Sequence, residues 1–234
     1  MRVVSVSTRL LEVHERLCAT YGCPVAYFHA LDPVSELVSS MLSHRTRNSD
    51  SAQAYRSLVA RFPNWEEVID APTADVESAI AASTWPEQKA PRIQAALRWI
   101  RDEGGAISLD FLEELTPYEA RFWLERIPGV GPKTSAAVLS FSRLRMRALP
   151  VDSHHHRVAQ RLGLISDKLD VGPAHAVLEA MLPPDWDAQQ VYDHHEVMMF
   201  LGQRICTYQS PKCRQCPLLD LCPTGQRRTG ATLL

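Results

Sequence analysis

Four cysteines close to one another are the clearest chemistry in this sequence. Cys206, Cys213, Cys216 and Cys222 lie within seventeen residues, spaced C-x6-C-x2-C-x5-C. Four thiolates so near can enclose one metal centre. Structural zinc is one candidate, yet zinc sites usually join two Cys-x-x-Cys knuckles across a longer spacer. Here one knuckle is flanked by single cysteines in one irregular loop, which wraps more naturally around a [4Fe-4S] cubane. Disulfides are the weakest reading, since nothing else points to an oxidising compartment. Lys212 and Arg214 stand between ligands, so the metal would hold a basic loop in shape. Cys18 and Cys23 lie far off and are expected to be buried thiols.

A second chemical feature is Ile127-Pro128-Gly129-Val130-Gly131-Pro132-Lys133-Thr134, between two helical patterns. Pro128 stops the first helix, and the glycines permit positive φ and close backbone approach. The next helix begins beside them, and its N-terminal amides suit one phosphate without reading sequence. Lys133 falls in the first turn of that apolar helix. A cation is disfavoured there, so its pKa should fall, and a neutral amine is a nucleophile. Nineteen residues on, Asp152 precedes a helical pattern over Ser153–Arg161, where a carboxylate can cap the helix and also do chemistry.

These residues need a scaffold, and the hydrophobic pattern describes one. Apolar positions recur at helical spacing from Leu10 to Leu17, from Val34 to about Ser43, and near 49–61, 73–82, 87–103, 117–126, 133–142, 153–163, 171–182 and 187–204. Asp32-Pro33 reads as N-cap and first helical residue. Prolines punctuate the pattern, and no hairpin signal interrupts it. The fold class is therefore all-α, with roughly ten short helices. Beyond Cys222 the chain turns small and polar, and 223–234 is expected to be a frayed tail.

Composition limits the options. The 234 residues are 45% hydrophobic and 22% charged, which excludes disorder and a disulfide scaffold. No apolar run approaches the ~18–20 residues of a membrane span, and the N-terminus lacks a secretory core. An intracellular protein, cytoplasmic or nucleoid-associated, is expected. The net charge of −2 excludes coating of nucleic acid by bulk charge. Charge is uneven, however: 62–87 nets −6, whereas 143–161 and 198–234 each net +4. Two basic stretches permit a polyanion ligand.

The hairpin with Lys133, the Val151-Asp152-Ser153-His154 segment and the cysteine loop occur in that order, and over roughly 30–222 the chain resembles the endonuclease III branch of the helix–hairpin–helix DNA glycosylases. The resemblance implies two helical lobes with a DNA-binding cleft between them: a continuous six-helix barrel-like lobe at 33–143, and a cluster lobe from 1–32 plus 144–222. It implies a monomer acting on double-stranded DNA with a damaged base or abasic site. Lys133 would attack C1′ and form a Schiff base, and Asp152 would assist base loss. Gly129, Val130 and Gly131 would hold a phosphate, with His154, Lys212 and Arg214 also toward the DNA. Aligning Lys89-Ala90 with the family's Lys-Ala puts Trp85 at the intercalating position.

Departures from the family cluster around the base. Arg45, in Ser43-His44-Arg45-Thr46, stands where a Gln normally fills the hole left by the extruded base. Its planar donor fork suits guanine O6/N7 or a phosphate. Arg47, Asn48, Pro86, His155, His156 and Gln203 also differ. Scaffold and nucleophile match, so substrate choice is the open variable: oxidised pyrimidines, alkylated, mismatched or bulky bases, or damage binding with little cutting. The three consecutive histidines point about 100° apart along a helix and do not make one metal site. His194 and His195 read as structural.

Overall fold

In the computed structural model, residues 6–230 are described. They form twelve α-helices and three short 3-10 helices, with no strand among the described residues. The first helix, α1 (Val6–Tyr21), leads to α2 (Pro33–Ser43), α3 (Asn48–Arg61), α4 (Trp65–Asp70), α5 (Thr73–Ala79), α6 (Pro86–Gly104), α7 (Pro117–Leu124) and α8 (Pro132–Phe141). After these come α9 (Ser153–Leu162), α10 (Val171–Glu179), α11 (Ala188–Arg204) and α12 (Pro223–Thr229). The all-helical expectation holds. The helical period missed α4, a six-residue helix set by Asn64, whose side chain accepts from Glu67 N–H at 2.9 Å. Six residues are too few to show a 3.6-residue period.

The chain divides into two compact units, Phe28–Met146 and Met1–Tyr27 with Arg147–Leu234. These boundaries lie a few residues outside 33 and 143, because the segments flanking the helices are paired. Arg143 N–H donates to Leu31 C=O at 2.8 Å, and Arg145 donates to the carbonyls of His29 and Phe141.

Within Phe28–Met146, α2 is the central helix. Asp32 caps it, accepting from Val34 and Ser35 N–H at 3.0 Å each, and Pro33 supplies the first turn's fixed φ. It is buried nearly all round against α3, α6 and α8, its polar Ser35, Glu36 and Ser40 included. Leu37, Leu42, Leu58, Ile93, Leu97 and Leu139 are fully inaccessible.

In the other unit, α1, α9 and α11 pack together around Leu10, Leu17, Val158, Val197 and Met198. Two expectations are corrected here. Residues 223–229 are not frayed: Pro223 opens α12, which packs on α9, and its Gln226 is buried. A Pro at the first helical position followed by a helix-ending Gly230 at φ 70° is a helix signature that polarity masked. Cys18 and Cys23 are not free thiols but a disulfide. Helix α1 ends at Tyr21, and Gly22 at φ 85° turns the chain so that the two Cα atoms come within 5.0 Å.

Candidate functional site

The hairpin joins α7 to α8. Val130 N–H donates to Ile127 C=O at 3.0 Å, closing a tight turn in which Gly129 takes φ 84°. A Cβ on Gly129 would meet nothing within 4 Å, so the backbone angle, not space, requires glycine. Gly131 caps α8, with Thr134 and Ser135 N–H donating to its carbonyl at 2.9 and 3.0 Å. Gly129 is exposed, whereas Val130 is buried and its N–H is already given to Ile127, so Gly129 is the residue of the turn open to a ligand. Ser135 hydroxyl donates to Glu125 at 2.8 Å and ties the two arms.

Lys133 is the second residue of α8 and is half-buried. Its charge acts on two neighbours that sequence reading passed over. Glu36, 2% exposed on α2, has its carboxyl pushed up to about 8 by burial, against the pull of Ser40, Lys133 and Arg145. Ser40 hydroxyl donates to it at 2.9 Å, and His29 Nε2 lies 3.2 Å from its other oxygen. His44 is held down at about 4 by protein crowding its ring and then by the cations Lys133, Lys89 and Arg92. Its Nε2 lies 3.2 Å from the Thr134 hydroxyl, which puts the end of α2 beside the start of α8.

Arg45 and Trp85 are both exposed, and both adopt left-handed backbone at φ 51° and 54°. For a residue with a side chain this costs about 1–2 kcal/mol. Trp85 is therefore not a core tryptophan. It caps α6, 45% exposed, and the Arg45 guanidinium sits 5.8 Å from its ring centroid. Lys89, 6% exposed, lies between their loops with its ammonium hydrogen-bonded throughout, and burial lowers it to about 8.

Asp152, half-buried, caps α9 and accepts from His155 N–H at 2.7 Å. Beside it on α11 is Glu196, 5% exposed, raised to about 7 by burial and then by Asp152 and Asp193. Only the fold brings this second carboxyl near Asp152. His154 bonds Arg157 at 3.1 Å and presses on α11 at Gly202, where a Cβ would fall 2.7 Å from His154 Cβ. His155 and His194 are wholly buried with no partner for any ring nitrogen, while His195 bonds Pro150 C=O at 2.8 Å. His156 turns elsewhere, to Leu169 C=O.

All four loop cysteines line one cavity, together with Arg161, Ile205 and Pro211. None is in a disulfide. Burial pushes the Cys216 thiol to about 11 and raises Cys222. A bound cation would reverse that, since a coordinating thiol is deprotonated outright. Among the described residues no group is drawn together for a single metal ion. Arg161 donates to Cys206 Sγ at 3.3 Å and to the carbonyls of Thr207 and Tyr208 at 2.8 Å each, and Arg157 donates to Cys206 C=O at 3.0 Å. Two arginines of α9 thus fix the turn carrying the first cysteine. Lys212 and Arg214 are exposed on the same loop.

Two helices joined by a glycine-turned hairpin make a helix–hairpin–helix, here with Lys133 in the first turn of the second helix. The HhH-GPD superfamily base excision DNA repair family model matches residues 38–184, and the chain belongs to that superfamily. Within it the chain is endonuclease III-like. It is 33% identical to endonuclease III of Thermotoga maritima over 198 residues, covering 84% of this chain and 85% of the relative. An Arabidopsis thaliana relative named as a DNA glycosylase is 34% identical over 149 residues, and the match covers half of its length. A trapped endonuclease III–DNA covalent intermediate superposes with TM-score 0.80 at 25% identity, covering 95% of this chain and 98% of that one.

Proposed function

We propose that this protein is a bifunctional base-excision DNA glycosylase and abasic-site lyase, with Lys133 as nucleophile and Asp152 as catalytic carboxylate. The observation that carries the reading is the placement of Lys133 at the second position of α8, directly behind the exposed Gly129 turn. The turn offers backbone to a phosphate, and the amine follows it at once. A base inside a duplex is out of reach, so the nucleotide must be extruded, with Trp85 and Arg45 entering the gap.

Asp152 steadies the positive charge that grows on the sugar as the glycosidic bond breaks and the base leaves with the bonding electrons. Lys133 gives up a proton with the help of Asp152, its amine adds to C1′, and opening of the sugar ring gives an iminium. Loss of a C2′ proton then expels the 3′ phosphate and nicks the strand. Cys206, Cys213, Cys216 and Cys222 would hold a [4Fe-4S] cluster, which would keep the basic loop with Lys212 and Arg214 in shape. His154 is placed toward the DNA in the same reading. The partner is double-stranded DNA bearing a damaged base or abasic site, bound by a monomer.

Borohydride should trap the protein on abasic DNA, and Lys133→Ala should abolish trapping while leaving substantial binding; undiminished trapping moves the nucleophile elsewhere. Asp152→Asn should lower base excision more than nicking of a preformed abasic site, and equal loss of both reduces Asp152 to its cap. Arg45 makes substrate choice the open variable. On a lesion opposite each of four bases, a guanine preference lost in Arg45→Gln supports base readout worth ~1–3 kcal/mol. A flat preference with a steeper salt slope supports a phosphate contact. A panel of oxidised, alkylated, mismatched and bulky lesions identifies the base, and binding to all without excision marks a damage-binding protein instead.

A further inference from the structure

Arg45, Trp85 and Arg145 are the three non-glycine residues with positive φ among the described residues. Two of the three are the residues assigned above to the gap in the DNA. Such backbone persists only where the surroundings over-determine it. Around Arg45 and Trp85 the determining group is Lys89. Its ammonium shares three N–H donors among four oxygens, Leu42 C=O at 2.6 Å, His44 C=O at 2.9 Å, Thr46 hydroxyl at 2.8 Å and Ser83 hydroxyl at 3.0 Å. The two carbonyls close the C-terminal end of α2, where a cation is favoured.

The geometry makes one unit of two loops. His44 and Thr46 bracket Arg45, so the Lys89 side chain holds the chain on both sides of it, through the His44 carbonyl and the Thr46 hydroxyl. Ser83 lies just before Trp85, and Lys89 N–H donates to Trp85 C=O at 3.1 Å, so the same residue also fixes the Trp85 turn. Thr84 N–H donates to Thr46 hydroxyl at 3.2 Å as a second strut. What emerges at the surface is a guanidinium over an indole, both exposed.

We propose that Lys89 is a positioning residue that locks loops 43–48 and 81–85 into one two-pronged wedge, so that Trp85 enters the base stack and carries Arg45 with it to the base left opposite. The inference rests on the DNA-binding assignment of Arg45 and Trp85 made above. Its physical consequence is coupling. Two independent loops would each be ordered on insertion, and losing either side chain would weaken binding separately. A pre-joined pair loses most of its benefit when either prong is removed.

The test is a double-mutant cycle on the full chain. Binding is measured to a duplex carrying a tetrahydrofuran abasic analogue opposite each of the four bases. Arg45→Ala and Trp85→Ala should each weaken binding about tenfold, and the double variant little further, a coupling of about five- to tenfold. In Lys89→Met, which keeps the aliphatic stem, the coupling should fall to within twofold and the opposite-base preference should flatten. Should Lys89→Met fail to fold, Thr46→Val removes one Lys89 bond and the Thr84 strut and should cut the coupling by about half. Additive effects of the two alanines overturn the proposal and leave the wedge assignment standing, whereas two silent alanines overturn that assignment. Coupling and preference retained in Lys89→Met, or in Thr46→Val when that variant stands in, overturn the role of Lys89.

Discussion

The two units bury different sets of polar groups. In Phe28–Met146 the buried charged residues are Lys89 and Glu36, bonded to neutral oxygens and set among buried hydroxyls such as Ser35, Ser83 and Ser135. That unit also tolerates left-handed backbone at Arg45 and Trp85 to keep their side chains at the surface. In the unit of 1–27 and 147–234 the buried polar groups are five histidines, His14, His155, His175, His194 and His195, with Asp193, Glu196 and Gln226. Its arginines Arg147, Arg157 and Arg161 spend their donors on backbone carbonyls. One unit stores strain to present side chains, and the other fixes a loop whose cysteines share a cavity. Strain and buried charge belong where something must be gripped, and close packing belongs where something must be held still.

The sharpest way to break this contrast is at the cysteines. Serine at position 206, 213, 216 or 222 should remove all colour and the roughly four irons per chain expected of a cubane centre, and weaken DNA binding. Iron and acid-labile sulfide analysis reads this, and one zinc in colourless wild-type protein would end the iron–sulfur reading. Cys18→Ser should leave iron content intact, since its disulfide partner is Cys23 and neither lines the cysteine cavity.

Gly202→Ala comes next. A methyl group 2.7 Å from His154 Cβ and 3.2 Å from its backbone must push α11 off α9. The expected loss is about 1–3 kcal/mol in urea unfolding. A stability change under 0.5 kcal/mol would show that the two helices yield freely there.

Buried histidines and buried carboxyls should answer pH in opposite senses. His194 is lowered to about 3, and His155 well below its ordinary value, both by burial and then by neighbouring histidines. The unfolded chain binds their protons near 6.5 and the folded chain does not, so stability present above 6.5 is lost as pH falls toward 3. Glu36 runs the other way. Its folded value of about 8 lies above the unfolded one, so stability present below 4.5 is lost as pH rises through 8. Glu36→Gln should therefore stabilise the protein more at pH 8 than at pH 5, and equal effects at both would mean the carboxyl never stays protonated.

The smallest effect is the most pointed. Arg45→Gly should raise stability by up to about 1 kcal/mol by relieving φ 51°, while weakening DNA binding. A variant that loses stability would show that the Arg45 side chain supports the fold instead of straining it.

Much of the chemistry is legible in the sequence because it depends on short spacings. The cysteine pattern, the glycine turn before Lys133 and the Asp152 cap all lie within a few residues, where local geometry decides. The long amphipathic helices follow from period alone, and with them the all-helical class. Tertiary structure decided what depends on residues far apart in the chain. Nothing near Lys89 announces four oxygens from 42, 44, 46 and 83 around its ammonium. Nothing in the sequence marks out Glu36 or Glu196, whose carboxyls are raised only when packing removes their water. The polar run after Cys222 reads as a tail until α9 gives it a surface to pack on. Sequence determines which groups are available and how each stretch prefers to coil, because those preferences are local. Solvation and partnership are set by what arrives from elsewhere in the chain, so only the folded structure assigns Lys89 its grip, Arg45 its strain and Glu36 its proton.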